Sequence, residues 1–170
     1  MTSFARLFAV TVALLAAAPA LAADFSGRWL LDEAASGSMD PILDLQGVGW
    51  AQRKLAEGLD AKVTITQTAE TLTATYENLA GDPTQVLHFD GKPHESVNPA
   101  GLPVTFSARW TQGDAVLVAS GPATTEDGAA GTLTETRSLS ADGRTMTIRI
   151  EVVAPGGRKA TTTRVFRRRG

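Results

Sequence analysis

Two histidines, His88 and His94, stand six residues apart around the turn-forming pair Asp90-Gly91, with Glu95 beside the second. Imidazole nitrogens and a carboxylate are ligands for a transition metal, and a hairpin at Asp90-Gly91 would bring them near one another. The spacing matches no zinc motif, and His88 lies between Leu87 and Phe89 as an outward strand residue would, so the simpler reading is two surface histidines and no metal. A second pair is Glu135 and Arg137, which share one face of a strand with Leu133 and Leu139. Charges on an apolar face must be paired or wetted. Either the strand twists out near a rim and the pair faces solvent, or the pair is interior and, with Arg164, orients the polar head of a ligand. Asp32-Glu33 and Glu126-Asp127 fall in loop-like surroundings, where solvation accounts for them. Ser107 and Ser138 have no visible base, and the chain has no G-x-S-x-G, no H-E-x-x-H and no phosphate-binding glycine loop. No catalytic set and no cofactor is assigned, and the chain reads as non-enzymatic.

The elements that must position such residues are constrained first by composition. The 170 residues include no cysteine, which removes thiol catalysis, disulfides, cysteine-ligated zinc and iron–sulfur clusters. Sixteen Lys and Arg stand against 18 Asp and Glu, a formal charge of −2, so nothing pulls the whole chain toward nucleic acid. The one basic cluster is Arg164, Arg167, Arg168 and Arg169 at the C-terminus. It reads as a solvated tail, or as a weak envelope contact of Arg167, Arg168 and Arg169 with anionic lipid or an acidic partner.

At the other end, Arg6 precedes an apolar and small-residue run over 7–18, Pro19 breaks it, and Ala20-Leu21-Ala22 has the small-x-small form of a processing site. This predicts a signal peptide over 1–22 and a single exported domain over 23–170, periplasmic or secreted. The competing reading is a membrane anchor, which wants about 20 apolar residues and would find fewer here. The expected mature chain has no transmembrane segment, and losing Arg6 moves its formal charge to −3.

The remainder reads as strands over 25–32, 63–67, 72–77, 85–90, 104–111, 115–120, 132–140, 145–153 and 160–167, rich in Val, Ile, Thr and aromatics. Short turn groups such as Gln112-Gly113-Asp114 and Ala141-Asp142-Gly143 separate them and force antiparallel neighbours. A meander of this many strands closes economically into an up-and-down barrel, with an open sandwich as the alternative. The expectation is an all-β barrel of about 8–9 strands. Alternation puts Val104, Phe106, Ala108 and Trp110 on one inward face and Met146, Ile148, Ile150 and Val152 on another.

One stretch departs from the two-residue period. Over 40–59, Pro41 lies near a helix start, Asp40 is a candidate cap, and Leu45, Val48, Gln52, Leu55 and Leu59 recur at three- and four-residue steps. This predicts an amphipathic helical insertion between strands 1 and 2, divided in two if Gly47, Gly49 and Gly58 interrupt it. It would serve as a plug on one barrel end, or as a movable lid with Trp50 bordering a cavity.

Asp24-Phe25-Ser26-Gly27-Arg28-Trp29 resembles the G-x-W opening of lipocalin-type barrels. In those proteins a tryptophan on the first strand closes one barrel end and an arginine on the last strand commonly packs over it. The resemblance implies barrel closure by Gly27, Trp29 and, sharing a face with Thr162 and Phe166, Arg164. The stretch Leu139-Ser140-Ala141-Asp142-Gly143-Arg144-Thr145-Met146-Thr147 is similar to the closing hairpin of small exported bacterial lipocalin-like proteins of the calycin type. Two features depart from that pattern: no lipocalin disulfide is available, and the insertion over 33–61 looks more like the helical cap of intracellular fatty-acid carriers. The resemblance implies a carrier or sensor for a small hydrophobic or amphipathic molecule, with Trp50, Tyr76, Phe106, Trp110, Glu135, Arg137 and Ile148 as ligand-binding candidates. The alternative is a macromolecule-binding envelope module or inhibitor that uses loops and rim around a packed interior.

Overall fold

The computed structural model describes residues 22–57, 59–79 and 81–170. The leader assigned to 1–22 lies, apart from Ala22, outside them. Ten strands form one antiparallel sheet: β1 (Gly27–Leu31), β2 (Lys62–Gln67), β3 (Thr71–Tyr76), β4 (Thr84–His88), β5 (Pro93–Val97), β6 (Pro103–Thr111), β7 (Val116–Thr124), β8 (Ala130–Leu139), β9 (Thr145–Val153) and β10 (Lys159–Arg169). Their order is β4-β3-β2-β1-β10-β9-β8-β7-β6-β5, so consecutive strands are neighbours except at β4 and β5, and the first strand pairs with the last. The sheet thereby curls into a nearly closed barrel. Its two edges, β4 and β5, share no ladder and are bridged where the Val86 N–H donates to Ser96 Oγ at 2.8 Å.

The expected count of 8–9 strands is corrected to ten. The strand missed is β5, Pro-His-Glu-Ser-Val, whose composition disfavours a sheet interior. Proline lacks an N–H and is tolerated at the first position of an edge strand, which is where Pro93 stands. Pairing with β6, from Pro93 opposite Ser107 to Val97 opposite Pro103, supplies the order that local propensity does not.

Alternation governs the rest. Met146, Ile148, Ile150 and Val152 are all buried, as are Phe106 and Ala108, and they join Val63, Ile65, Leu72, Leu87, Leu117 and Phe166 in the core. Turning one face of every strand inward removes these side chains from water, at about 25 cal/mol for each Å² of apolar surface.

The insertion between β1 and β2 is two short helices, α1 (Asp40–Leu45) and α2 (Trp50–Ala56). Gly47, with φ of 74°, turns the chain between them. Asp40 does not cap α1: Met39 occupies that place, and the Asp40 carboxylate instead receives Arg53 Nε at 2.8 Å. Ile42 is the buried anchor of α1, whereas Leu55 of α2 is 78% exposed. Among the described residues no helix is long and apolar enough to cross a membrane.

Candidate functional site

One barrel end is sealed by aromatic rings. Phe25 stacks on Trp110 with centroids 5.9 Å apart, Phe89 tilts against Trp110 at 5.1 Å, and Trp29 Nε1 donates to the Phe25 carbonyl at 2.9 Å. The guanidinium over Trp29 belongs to Arg168, not to Arg164: its carbon lies 4.4 Å from the ring centroid, and Arg168 also donates to the carbonyls of Ser26, Gly143 and Asp24. Both arginines lie in the same alternation phase of β10, and the pairing of Trp29 opposite Arg168 decides between them. Gly27 makes room. Its φ is 138°, and a Cβ there would stand 2.6 Å from Arg168 Nη1.

Arg164 instead fastens the helices. Buried to 5% exposure, it grips Asp60 through Nε at 2.9 Å and Nη2 at 2.6 Å, and donates to the carbonyls of Gly37 and Glu57. A two-pronged arginine–carboxylate contact fixes orientation as well as distance. The insertion is thus clasped to β10 on one side.

On its other side the ties are fewer: the Glu126 N–H donates to the Leu45 carbonyl at 3.1 Å and the Asn78 amide to the Leu59 carbonyl at 2.7 Å. Between the helices and the rim formed by β5, β6, β7 and β8 lies an open cavity of about 960 Å³, lined by Leu43, Val48, Leu55 and Leu59 opposite Val104 and Ala123. Ala130, the first residue of β8, also lines it. Arg137 stands seven residues further along β8, about 24 Å away, on the strand face it shares with Leu133 and Glu135.

Arg137 is 1% exposed and reaches across the lumen to Gln85, which is fully buried. Their strands, β8 and β4, are separated by three strands one way and five the other, so the contact spans the interior. Arg137 Nη2 donates to Gln85 Oε1 at 2.6 Å and to Glu135 Oε2 at 2.9 Å, and the Tyr76 hydroxyl donates to the same Gln85 oxygen at 3.2 Å. Arginine can only donate, so Gln85 must present its oxygen here, and its amide nitrogen faces elsewhere. Three buried donor atoms have no acceptor among the protein atoms: Gln85 Nε2, Arg137 Nε and Arg137 Nη1. Each such donor costs about 1–3 kcal/mol while unmet.

Burial weighs against the Arg137 charge, but its contacts with Tyr76 and Glu135 outweigh that and raise its pKa further, leaving a fixed cation. Removal from water pushes the Tyr76 phenol up to about 12, so at neutral pH it is a neutral donor. Both groups are therefore donors at neutral pH, and the cluster can receive a ligand's lone pairs.

Of the ligand-binding candidates, Tyr76, Glu135 and Arg137 come together in this cluster, and Ile148 stands opposite Arg137 on β9. Phe106 is buried in the core, Trp110 belongs to the sealed end, and Trp50, 66% exposed, begins α2 outside the cavity lining. The sequence pattern assigns Gln85 no role, and it is the cluster's remaining member. A glutamine alternating with Leu87 on a strand was the available signal.

The two histidines stack, centroids 4.1 Å apart, beside the gap between β4 and β5, and His94 Nε2 lies 3.0 Å from the Asp90 carboxylate. Among the described residues no group of three or more His, Cys, Asp and Glu is arranged to hold a metal. The C-terminal arginines are no free tail. They end β10, where Arg167 pairs with Asp32 at 2.9 Å and Arg168 covers Trp29, so these two charges are engaged within the fold rather than presented to an envelope.

No family model and no curated protein matches the chain. Solved structures do. A Schistosoma mansoni fatty acid binding protein in complex with arachidonic acid is 21% identical over 86% of this chain and 96% of its own, with a TM-score of 0.62. Human cRBP IV is 17% identical over 86% of this chain and 99% of its own, at 0.62. A zebrafish ileal bile acid-binding protein complexed with cholic acid is 17% identical over 85% and 98%, at 0.61. Likeness at this level of identity is likeness of fold: the chain has the calycin-like architecture, an antiparallel barrel of ten strands with two short helices inserted between the first two.

Proposed function

We propose that this protein is a non-enzymatic carrier or sensor for a small amphipathic molecule, admitted between the helices and the barrel rim and held with its polar end on Gln85, Tyr76 and Arg137. One observation carries the reading: three donor atoms of two fully buried side chains in the barrel interior, on Gln85 and Arg137, are the only buried side-chain polar atoms among the described residues that lack a partner. Natural interiors rarely tolerate such a set unless something with lone pairs meets it. The cavity of about 960 Å³ at the mouth, with its apolar lining, suits the remainder of such a molecule. Two of the structures with this architecture are described with cholic acid and arachidonic acid, both small amphipathic molecules. The leader over 1–22 would send the carrier outside the cytoplasm, periplasmic or secreted.

The test is native mass spectrometry of protein purified gently from an exporting host, with identification of anything bound. A stoichiometric small molecule, lost in a folded Arg137→Met variant, is the expected result. Protein that is consistently empty and gains no thermal stability across a panel of lipids and pigments would overturn the reading. A second reading, contact with a macromolecule through the rim, is favoured by the exposure of Trp50, Leu55, Leu79 and Leu102, at 66%, 78%, 107% and 59%. Empty protein that nonetheless captures a defined partner, with capture abolished by Leu55→Lys, would turn the assignment that way.

A further inference from the structure

On the reading that the lumen holds an amphipathic ligand, we infer that its buried end is uncharged, a hydroxyl or a primary amide, and that Glu135 sets this choice. The usual expectation for a buried arginine in an apolar interior is an anionic head group. Here the charge is already answered. The Glu135 carboxylate lies 2.9 Å from Arg137 Nη2, with the two side chains only 12% and 2% exposed, so the pair is neutral as a unit.

The second buried cation among the described residues offers no alternative. Arg164 is matched by Asp60 at 2.6 Å and has donated to the Gly37 and Glu57 carbonyls as well. A carboxylate, phosphate or sulfonate entering the lumen would therefore add an unmatched negative charge among Phe106, Leu117, Ile148 and Ile150. An uncompensated charge in such surroundings is strongly disfavoured.

What Arg137 Nε, Arg137 Nη1 and Gln85 Nε2 lack is lone pairs, not charge. An alcohol or amide oxygen supplies them without altering the balance. Both head groups also carry a hydrogen, and the Glu135 carboxylate, which accepts from Arg137 through Oε2, is the acceptor beside them. A ketone or ester satisfies the first requirement and not the second. Glu135 is thus a specificity-determining residue: it neutralises the arginine and receives the ligand's proton-bearing group.

The test is calorimetric titration of the delipidated protein with oleyl alcohol, oleamide and oleate, which share one chain and differ only at the head, at neutral pH. The alcohol and the amide should bind at least about ten-fold more tightly than oleate, a difference of about 1.4 kcal/mol. Glu135→Gln, which keeps the side-chain shape but removes the negative charge, should bring oleate level with the amide or ahead of it. A second measurement stands independently of that variant's folding: oleate binding to the native protein, repeated in buffers of different ionisation heat, should take up about one proton, because the extra carboxylate enters only neutralised. Oleate binding as tightly as the other two with no proton uptake would overturn the inference while leaving the carrier reading in place. Failure of all three, and of the lipid panel, would overturn the carrier reading and this inference with it.

Discussion

The buried cluster should make the ligand-free protein less stable than a version with no polar groups there, and a double-mutant cycle at Glu135 and Arg137 measures this. Arg137→Met keeps most of the side-chain volume but leaves the Glu135 carboxylate, 12% exposed, without its cation. Breaking a buried pair from one side costs about 3–5 kcal/mol. The same change also removes Arg137 Nε and Nη1, two donors that lack acceptors in the unliganded protein. Each is worth about 1–3 kcal/mol in relief, so the two effects nearly offset and the single variant should melt close to the native protein. Glu135→Leu combined with Arg137→Met removes both charges and both orphaned donors, and should gain about 1–4 kcal/mol over the native sequence, as exchange of a buried ion pair for packed apolar groups does elsewhere. Single and double variants should therefore melt roughly 7 °C apart, at about 2–4 °C per kcal/mol for a domain of this size. The assay is thermal and urea unfolding of delipidated protein followed by circular dichroism. A double variant no more stable than the native protein would refute the reasoning, because the polar cluster would then be stabilising in its own right.

Three further outcomes follow from the same structure. Tyr76 is the only tyrosine, so the ultraviolet phenolate band reports it alone: it should stay silent until near pH 12 while the protein is folded, and titration near pH 10 in folded protein would contradict its burial. Because its folded pKa is raised above the ordinary 10.0, the stability it contributes is whole below pH 10 and falls as pH rises from there through about 12, which alkaline unfolding curves should register. Gly27→Ala forces a Cβ to 2.6 Å from Arg168 Nη1 at a φ of 138° and should cost about 1–3 kcal/mol; the loss should shrink in an Arg168→Ala background, and equal losses in both would show that the contact is not its source. Asp60→Asn strips the countercharge from Arg164, 6% exposed, and should cost about 3–5 kcal/mol while quickening amide exchange in α1 and α2 ahead of the barrel strands; uniform quickening would deny that this pair holds the helices.

Much of this architecture is written in local pattern. Met146, Ile148, Ile150 and Val152 point inward because successive side chains of a strand must point to opposite faces, a consequence of backbone geometry that needs no partner to be read. The helical insertion was legible from its three- and four-residue steps, and its division in two from the glycines within it. The strand β5 was not legible, because Pro93, His94 and Glu95 have little intrinsic preference for a sheet and only the presence of β6 makes them one.

The site shows the same division more sharply. Alternation placed Glu135 and Arg137 on one face and left open whether that face met solvent or lumen; it placed Arg164 and Arg168 in one phase and left open which would meet Trp29. The register Trp29 opposite Arg168 and the reach of Arg137 across three intervening strands to Gln85 settled both. A residue's face is set by its own dihedral angles and those of its neighbours, so a single sequence carries it. Which side chain lies across a lumen depends on strand register and on how far the sheet curls, and these come from the sum of contacts between segments far apart in the chain.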